Sequence, residues 1–414
     1  MNEERCIFLF TKEFPFGESE QYLVDEIPYL LEKCSKIIIV PCELFNKSGK
    51  SIRVLPSGCD VMLINEEAKN RRTPRRIFQF LFVFFWEWHK SRSKIWFWKE
   101  RKRYASVLAY QIHLSNIFEQ YLYTYFKSAK PIFYTYWIHN SSLMLGLLKQ
   151  RGIITSFICR GHSIDLYESD WVLVKYKKFL PYYHFIIHQS DAVYSVSDHG
   201  KEYLQNRFPQ FRSKFRCSRL GVHNVGDNPQ NAFYPRTIVS CSNFSPNKNV
   251  LKIAEVISRL SVPVRWVHFG RANPDQLIAI HDKIKIFPPH IKAELRGFVP
   301  NTDIKNFYNS EGVAVFINLS EGEGIPVSIM EAISFGIPVL ASAVYGNPEI
   351  AVRETGFCVP YDSSPAEIAS LLNEFLIDTE KQKKIRNTSR QFHEDNYSAE
   401  RNYRIFADEI LSYH

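Results

Sequence analysis

No hydrophobic run in the 414 residues reaches the roughly 18 apolar positions that a membrane-crossing helix needs. Nor is there a CxxC pair. The eight cysteines (Cys6, Cys34, Cys42, Cys59, Cys159, Cys217, Cys241 and Cys358) are scattered, and several lie in apolar strand-like stretches where a free thiol behaves as a small hydrophobe. A zinc site and a disulfide framework are therefore not expected, and a reducing cytoplasm is. The opening MNEERCIFLF holds too short an apolar stretch for a signal peptide. The Walker A string is missing, which argues against a P-loop kinase or NTPase. Gly161-His-Ser-Ile-Asp165 has the outline of a nucleophile elbow, but its last position is Asp and no HGGG string accompanies it, so a serine hydrolase is not expected. No internal repeat is evident.

What is present is ordinary in bulk: 45% hydrophobic and 23% charged residues, as in a soluble globular protein. The length suggests two domains of roughly 200 residues. Aromatic residues reach 15% and the formal net charge is +9. That surplus points to an anionic partner, whether nucleotide phosphate, nucleic acid or an anionic membrane.

Short apolar runs alternate with amphipathic stretches, the pattern of α/β domains with parallel sheets covered on both faces. The first half offers strands at Cys6–Phe10, Lys36–Pro41, Ile132–Trp137, Ile153–Cys159 and Ala192–Ser197. The second offers Thr237–Ser242, Val264–Phe269, Gly312–Asn318 and Ile337–Ser342. The polar, turn-rich Asn224–Pro235 reads as a linker. It divides the chain into domains at 1–225 and 236–393, followed by a helical tail, 394–414, expected to pack back on the first domain.

One segment breaks the alternation. Lys69–Arg76 carries five cations, Ile77–Trp86 is almost all aromatic or aliphatic, and Lys90–Arg103 adds seven cations around Trp96, Phe97 and Trp98. Two readings stand: an interfacial helix on an anionic leaflet, or an insertion whose aromatic face is core and whose charges are solvated. Stacking of nucleic-acid bases is a weaker third, and no nucleic-acid partner is expected.

The chemistry concentrates in Ser320-Glu-Gly-Glu-Gly-Ile-Pro-Val-Ser-Ile-Met-Glu-Ala-Ile-Ser-Phe-Gly-Ile-Pro-Val. A strand ends near Asn318, Pro326 suits the first helical turn, and Gly336 with Pro338 ends the helix. The amides of Gly324 to Val327 then form a helix N-terminus at the sheet edge, a site for phosphate. Glu323 and Glu331 flank it. A bound diphosphate repels both, so each must meet a cation or sugar and ribose hydroxyls.

Glu323 and Glu331 with seven residues between them, followed by GNPEI and TGFCVP, resemble the retaining glycosyltransferases of family 4. The resemblance implies the GT-B fold: two Rossmann-like domains whose parallel sheets face across a cleft, the donor held mainly by the C-terminal one. By it, Glu323 contacts the transferred sugar, Glu331 the ribose, and Gly324, Ile325, Pro326 and Val327 line the phosphate and sugar pocket. Lys248, in Ser242-Asn-Phe-Ser-Pro-Asn-Lys248, is expected at the donor phosphates with Asn243 and Ser245 beside it. The family's Arg early in this loop is replaced by Ser242-Asn243, and Arg271 is the candidate substitute.

In the first half, Arg160-Gly-His-Ser-Ile-Asp165 matches the family's Arg-x-His-Gly-x-Asp string with Ser163 in place of Gly. His162 is expected at the donor sugar, with Arg160 and Asp165 as sugar or acceptor contacts. Gly17, in Glu13–Glu20, is expected to let the backbone approach a ligand. There is no Asp-x-Asp anywhere, so a metal-independent transfer without cofactor is expected, from a nucleotide-diphosphate sugar to a glycan or lipid-linked acceptor. Cytoplasmic location, peripheral on the inner face of the membrane, goes with it. The rivals are a non-catalytic nucleotide-sugar-binding scaffold and a GT-B-fold nucleotide-sugar epimerase.

Overall fold

The computed structural model describes residues 5–17, 20–43, 52–64, 74–91, 94–125, 131–167, 180–229 and 235–413. Its chain forms two compact units. The first comprises Met1–Val196, Gly200–Ser218 and Tyr403–His414; the second comprises Ser197–His199 and Arg219–Asn402.

Among the described residues the first unit is built on seven parallel strands: β1 (Cys6–Thr11), β2 (Lys36–Pro41), β3 (Cys59–Val61), β4 (Ile132–Thr135), β5 (Ile158–Gly161), β6 (Ala192–Ser195) and β7 (Phe215–Cys217). They are ordered β3-β2-β1-β4-β5-β6-β7. Every residue of β1 is buried, and only Lys36 of β2 is exposed, as expected for strands with both faces covered. Phe406, Ala407 and Ile410 complete the core against Ile7, Tyr134 and Tyr194.

Among the described residues the second unit has six parallel strands: β8 (Arg236–Cys241), β9 (Val264–Phe269), β10 (Ile291–Leu295), β11 (Val313–Asn318), β12 (Val339–Ala343) and β13 (Gly356–Pro360). Their order is β10-β9-β8-β11-β12-β13. Trp266 is fully buried in its core among Ile238, Ile253 and Leu340.

The strand order reverses direction between β1 and β4 in one unit and between β8 and β11 in the other. Outside the carboxyl ends of the strands, these switch points are where doubly wound sheets open a ligand crevice.

Four strands escape the sequence reading: β3, β7, β10 and β13. The first two are three residues long, and β10 exposes or half-exposes four of its five residues. Short or polar strands at a sheet edge carry little hydrophobic signal. The expected strand Ile153–Cys159 is also displaced. The helix Asn140–Gln150 is closed by Gly152 at φ +73°, with Ile153 N–H returning to the Leu148 carbonyl. That left-handed closure delays the strand to Ile158.

The supposed linker is partly a packed element. Asn228 is buried, donating to the Tyr308 and Glu311 carbonyls (2.6 and 2.8 Å) and accepting from Val313 N–H (2.9 Å). Residues 230–234 of that stretch lie outside the described residues.

Candidate functional site

The second unit's switch point joins two loops. After β8 the chain passes through Ser242–Ser245, a 3-10 turn at Pro246–Lys248, and Asn249 in the left-handed conformation before the helix Val250–Ile257. After β11 it runs through Leu319–Pro326 into the helix Val327–Ser334. Two bonds tie the loops together: Asn249 Nδ2 to the Leu319 carbonyl (3.1 Å) and Glu321 N–H to the Asn247 carbonyl (2.7 Å). Pro326 stands one place earlier than its sequence position suggested, as the residue capping the helix rather than within its first turn, and its carbonyl accepts from Ile329 and Met330. Gly346 packs against this loop, since a Cβ there would lie 1.6 Å from the Gly324 carbonyl oxygen.

Among the described residues, the N–H groups of Gly324, Ile325 and Val327 donate to no protein acceptor. Orphan amides at a helix start carry partial positive charge and attract an anion.

The Lys248 ammonium pairs with Oε1 of Glu323, the residue just before these amides. Both side chains keep some exposure, Lys248 more than Glu323. The two residues expected to divide phosphate and sugar between them are thus each other's partners here. Glu331, in the helix Val327–Ser334, accepts from Asn301 Nδ2 at 2.6 Å and lies 4.0 Å from Lys305 Nζ. Asn301 and Lys305 sit one turn apart on the helix Asn301–Ser310, and sequence reasoning missed both. Their i, i+4 spacing after the turn Gly297–Pro300 was the available signal.

Asn243 and Ser245 shape the loop. Asn243 Oδ1 accepts from Arg271 N–H (2.9 Å), and the Ser245 hydroxyl donates to Asn247 Oδ1 (2.7 Å). The Arg271 guanidinium lies 4.0 Å over the Phe298 ring. The two border a cavity of about 440 Å³, lined also by Phe244, Leu277, Leu295 and Gly297.

In the first unit the string at the end of β5 behaves differently from expectation. Arg160 lies within the strand and is fully buried, paired with Glu26, bonded to Ser218 Oγ (3.0 Å) and 3.9 Å over the Phe406 ring. Strand alternation turns it inward, so it is not a ligand contact. Asp165 is buried as well. Its carboxylate accepts from Ile138 N–H and His162 N–H, both 2.9 Å, and so closes the loop rather than facing a ligand.

His162 is half-buried at this edge, its ring 4.5 Å from those of Tyr136 and Trp137. Nε2 lies 3.0 Å from the Tyr136 carbonyl. A carbonyl only accepts, so Nε2 carries the proton. Burial, outweighing Asp165, pushes the imidazole down to about 4. The ring is therefore neutral near pH 7, with Nδ1 left as an acceptor.

Gly17 adopts φ +69° in the loop after β1. The residue that organises this loop is Glu20, which the sequence reading did not single out. Its carboxylate accepts from Lys12, Glu13 and Phe14 N–H and from Trp137 Nε1, at 2.7–2.9 Å.

Residues 228–392 match the family described as glycosyl transferases group 1. A putative colanic acid biosynthesis glycosyltransferase, WcaL, of Escherichia coli K12 is 26% identical over 245 residues. That alignment spans 56% of this chain and 59% of the relative's length. Among solved structures, a glycosyltransferase from Rickettsia africae superposes with a TM-score of 0.68 at 17% identity over all of both chains. Anabaena HepE in complex with UDP and glucose gives 0.65 at 13% identity, covering 99% of this chain and 100% of that one. The fold is that of the GT-B glycosyltransferases.

Proposed function

We propose that the chain is a retaining glycosyltransferase that moves a sugar from a nucleotide-diphosphate sugar to a glycan or lipid-linked acceptor in surface polysaccharide biosynthesis. The observation that carries the reading is the Lys248–Glu323 pair at the switch point of the second unit, its glutamate next in sequence to the unpartnered amides of Gly324, Ile325 and Val327. The group 1 match over residues 228–392 supports the activity. The polysaccharide role of WcaL supports the pathway, and the UDP and glucose held by HepE support the donor class.

In this reading the donor diphosphate sits on the amides of Gly324, Ile325 and Val327 and draws the Lys248 ammonium to itself. Glu323, released from its partner, accepts hydrogen bonds from the sugar hydroxyls. Glu331, oriented by Asn301, takes the ribose hydroxyls. A planar base fits the largely apolar cavity bounded by Phe244, Arg271 and Phe298. As the glycosidic bond breaks, charge grows on the departing diphosphate. Lys248 and the fixed amides stabilise that charge without reorganising and without a metal ion. In the first unit, His162 Nδ1 accepts from a substrate hydroxyl. The chain works in the cytoplasm, at the inner face of the cell membrane where a lipid-linked acceptor is presented.

A thermal-shift screen against UDP-, GDP- and ADP-sugars, followed by transfer assays, tests the reading. Binding of one donor class with acceptor-dependent release of nucleotide is expected. Tight binding without turnover on any acceptor would favour a scaffold, and donor conversion without acceptor an epimerase.

A further inference from the structure

The helix Pro74–Lys90 is inverted relative to an ordinary surface helix. Its buried positions are Gln79, Val83, Phe84 and Glu87. Gln79 Nε2 donates to the Leu147 carbonyl (3.0 Å) and to Gln150 Oε1 (2.9 Å). Glu87 accepts from Phe185 N–H (3.0 Å) and stands 3.2 Å from His184 Nδ1. Polar groups thus bolt the helix to the first unit. The opposite stripe is apolar and open: Phe78 is 71% exposed, and Ile77, Leu81, Phe82 and Phe85 are each about half exposed. These side chains recur at the i, i+3, i+4 spacing of one helical face.

The next helix, Lys94–Lys99, buries only Phe97, packed on Phe84 and Tyr104. It leaves Ile95 at 75% exposure with Trp96 and Trp98 open beside it. Lys94 holds the two helices together by donating to the Trp88 carbonyl (2.6 Å). Around the stripe stand Lys90, Lys94, Lys99, Arg101, Lys102 and Arg103, all exposed, with Arg75 and Arg76 at the start of the first helix. The only acids between residues 74 and 103 are Glu87, which is buried, and Glu100.

We infer that this face is a membrane-docking surface that lays the outward stripe of Pro74–Lys90 and the Ile95–Trp98 side chains into the headgroup region of an anionic leaflet. Charge complementarity selects the occupant. A cationic rim around an aromatic stripe fits acidic headgroups over acyl chains, whereas a second copy would bring the same cations together. Among the described residues no helix is long and apolar enough to cross a membrane, so the surface lies in the interface plane. The inference deepens the membrane part of the proposed function but is read without turnover, so a failed transferase assay leaves it standing.

The test uses the full chain with phosphatidylcholine vesicles and with vesicles of about 30% phosphatidylglycerol, at about 0.1 and 0.5 M NaCl. Binding to the anionic vesicles is expected, with a blue shift of tryptophan emission and an affinity at least tenfold weaker at the higher salt. Phe78→Ser with Phe82→Ser and, separately, Lys99→Glu with Lys102→Glu should each weaken partition about tenfold or more, with the thermal midpoint unchanged. The charge pair is fully surface-borne and keeps the test decisive if the first variant misfolds. Equal binding to neutral vesicles, no binding at all, or a concentration-dependent dimer abolished by the Phe78/Phe82 variant would overturn the inference.

Discussion

Lys248 and Glu323, 75 residues apart in the chain, form an ion pair at the meeting point of the loops that follow β8 and β11. Each satisfies the other while the neighbouring helix start keeps its amides open. In the proposed function a diphosphate entering this site would compete with Glu323 for the lysine and free the carboxylate for neutral hydroxyls. The pair holds both groups in position before the ligand arrives, which lowers the cost of ordering them on binding.

Lys248→Ala should reduce kcat/KM for donor by about 100- to 1000-fold, the range seen when one donor to a developing oxyanion is lost. It also leaves Glu323 facing the diphosphate uncompensated. Steady-state kinetics with the donor found in the screen provide the check, and Lys248→Arg should recover part of the loss. A Lys248→Ala enzyme within a factor of three of wild type would remove the lysine from the mechanism.

Glu331→Gln should act on donor binding more than on turnover. An amide keeps an oxygen for Asn301 but loses the charge-assisted bonds to ribose hydroxyls, which are worth roughly 1.5–3 kcal/mol. The expected result is a donor KM about tenfold or more higher with kcat nearly unchanged. A kcat effect alone would place Glu331 at the reacting sugar instead.

Arg160→Ala should be a stability variant. It leaves Glu26 buried without its cation, a change that costs about 3–5 kcal/mol. Chemical denaturation measures it, and acceptor KM should not move in any variant fraction that remains folded. Preserved stability with a raised acceptor KM would restore the role suggested by the sequence.

Acid should destabilise the protein through two histidines. Burial pushes His162 and His268 down to about 4 from an ordinary 6.5. The charged groups that act on His162 are Asp165, Arg160 and Lys12, while Ser240 bonds His268 Nδ1 at 2.8 Å. Between pH 6.5 and 4 the unfolded chain binds protons that the folded chain refuses. Stability is therefore full above pH 6.5, falls as the pH drops toward 4 and levels off below, by up to roughly 3 kcal/mol per histidine. Urea titrations at pH 7.5, 6, 5 and 4.5 should show the decline, and His162→Asn should flatten it. An unchanged slope in that variant would show that His162 is not held neutral.

Much of the site was legible because its signals are local. Pro326, Gly336 and Pro338 punctuate one helix within thirteen residues, so the helix start and its open amides at Gly324, Ile325 and Val327 could be placed from the sequence alone. Arg160 is less legible: its apolar run ends at Cys159, whereas β5 continues to Gly161 and keeps Arg160 inside the sheet, fully buried against Glu26. Asn301 and Lys305 were missed because a polar helix turn carries no apolar period to announce it.

The sequence by itself determined the parallel α/β character, the loop-and-helix site around Glu323 and Glu331, and the basic, aromatic composition of residues 69–103. Each is written in neighbouring residues, through apolar runs, proline and glycine punctuation and charge density. Tertiary structure decided the rest: that Glu323 pairs with Lys248, that Glu331 is held by Asn301, and that Glu26 draws Arg160 inward over 134 residues of chain. It also decided which face of Pro74–Lys90 looks outward. Those outcomes depend on which distant groups packing brings within hydrogen-bond reach, and a buried charge takes whatever partner the fold delivers.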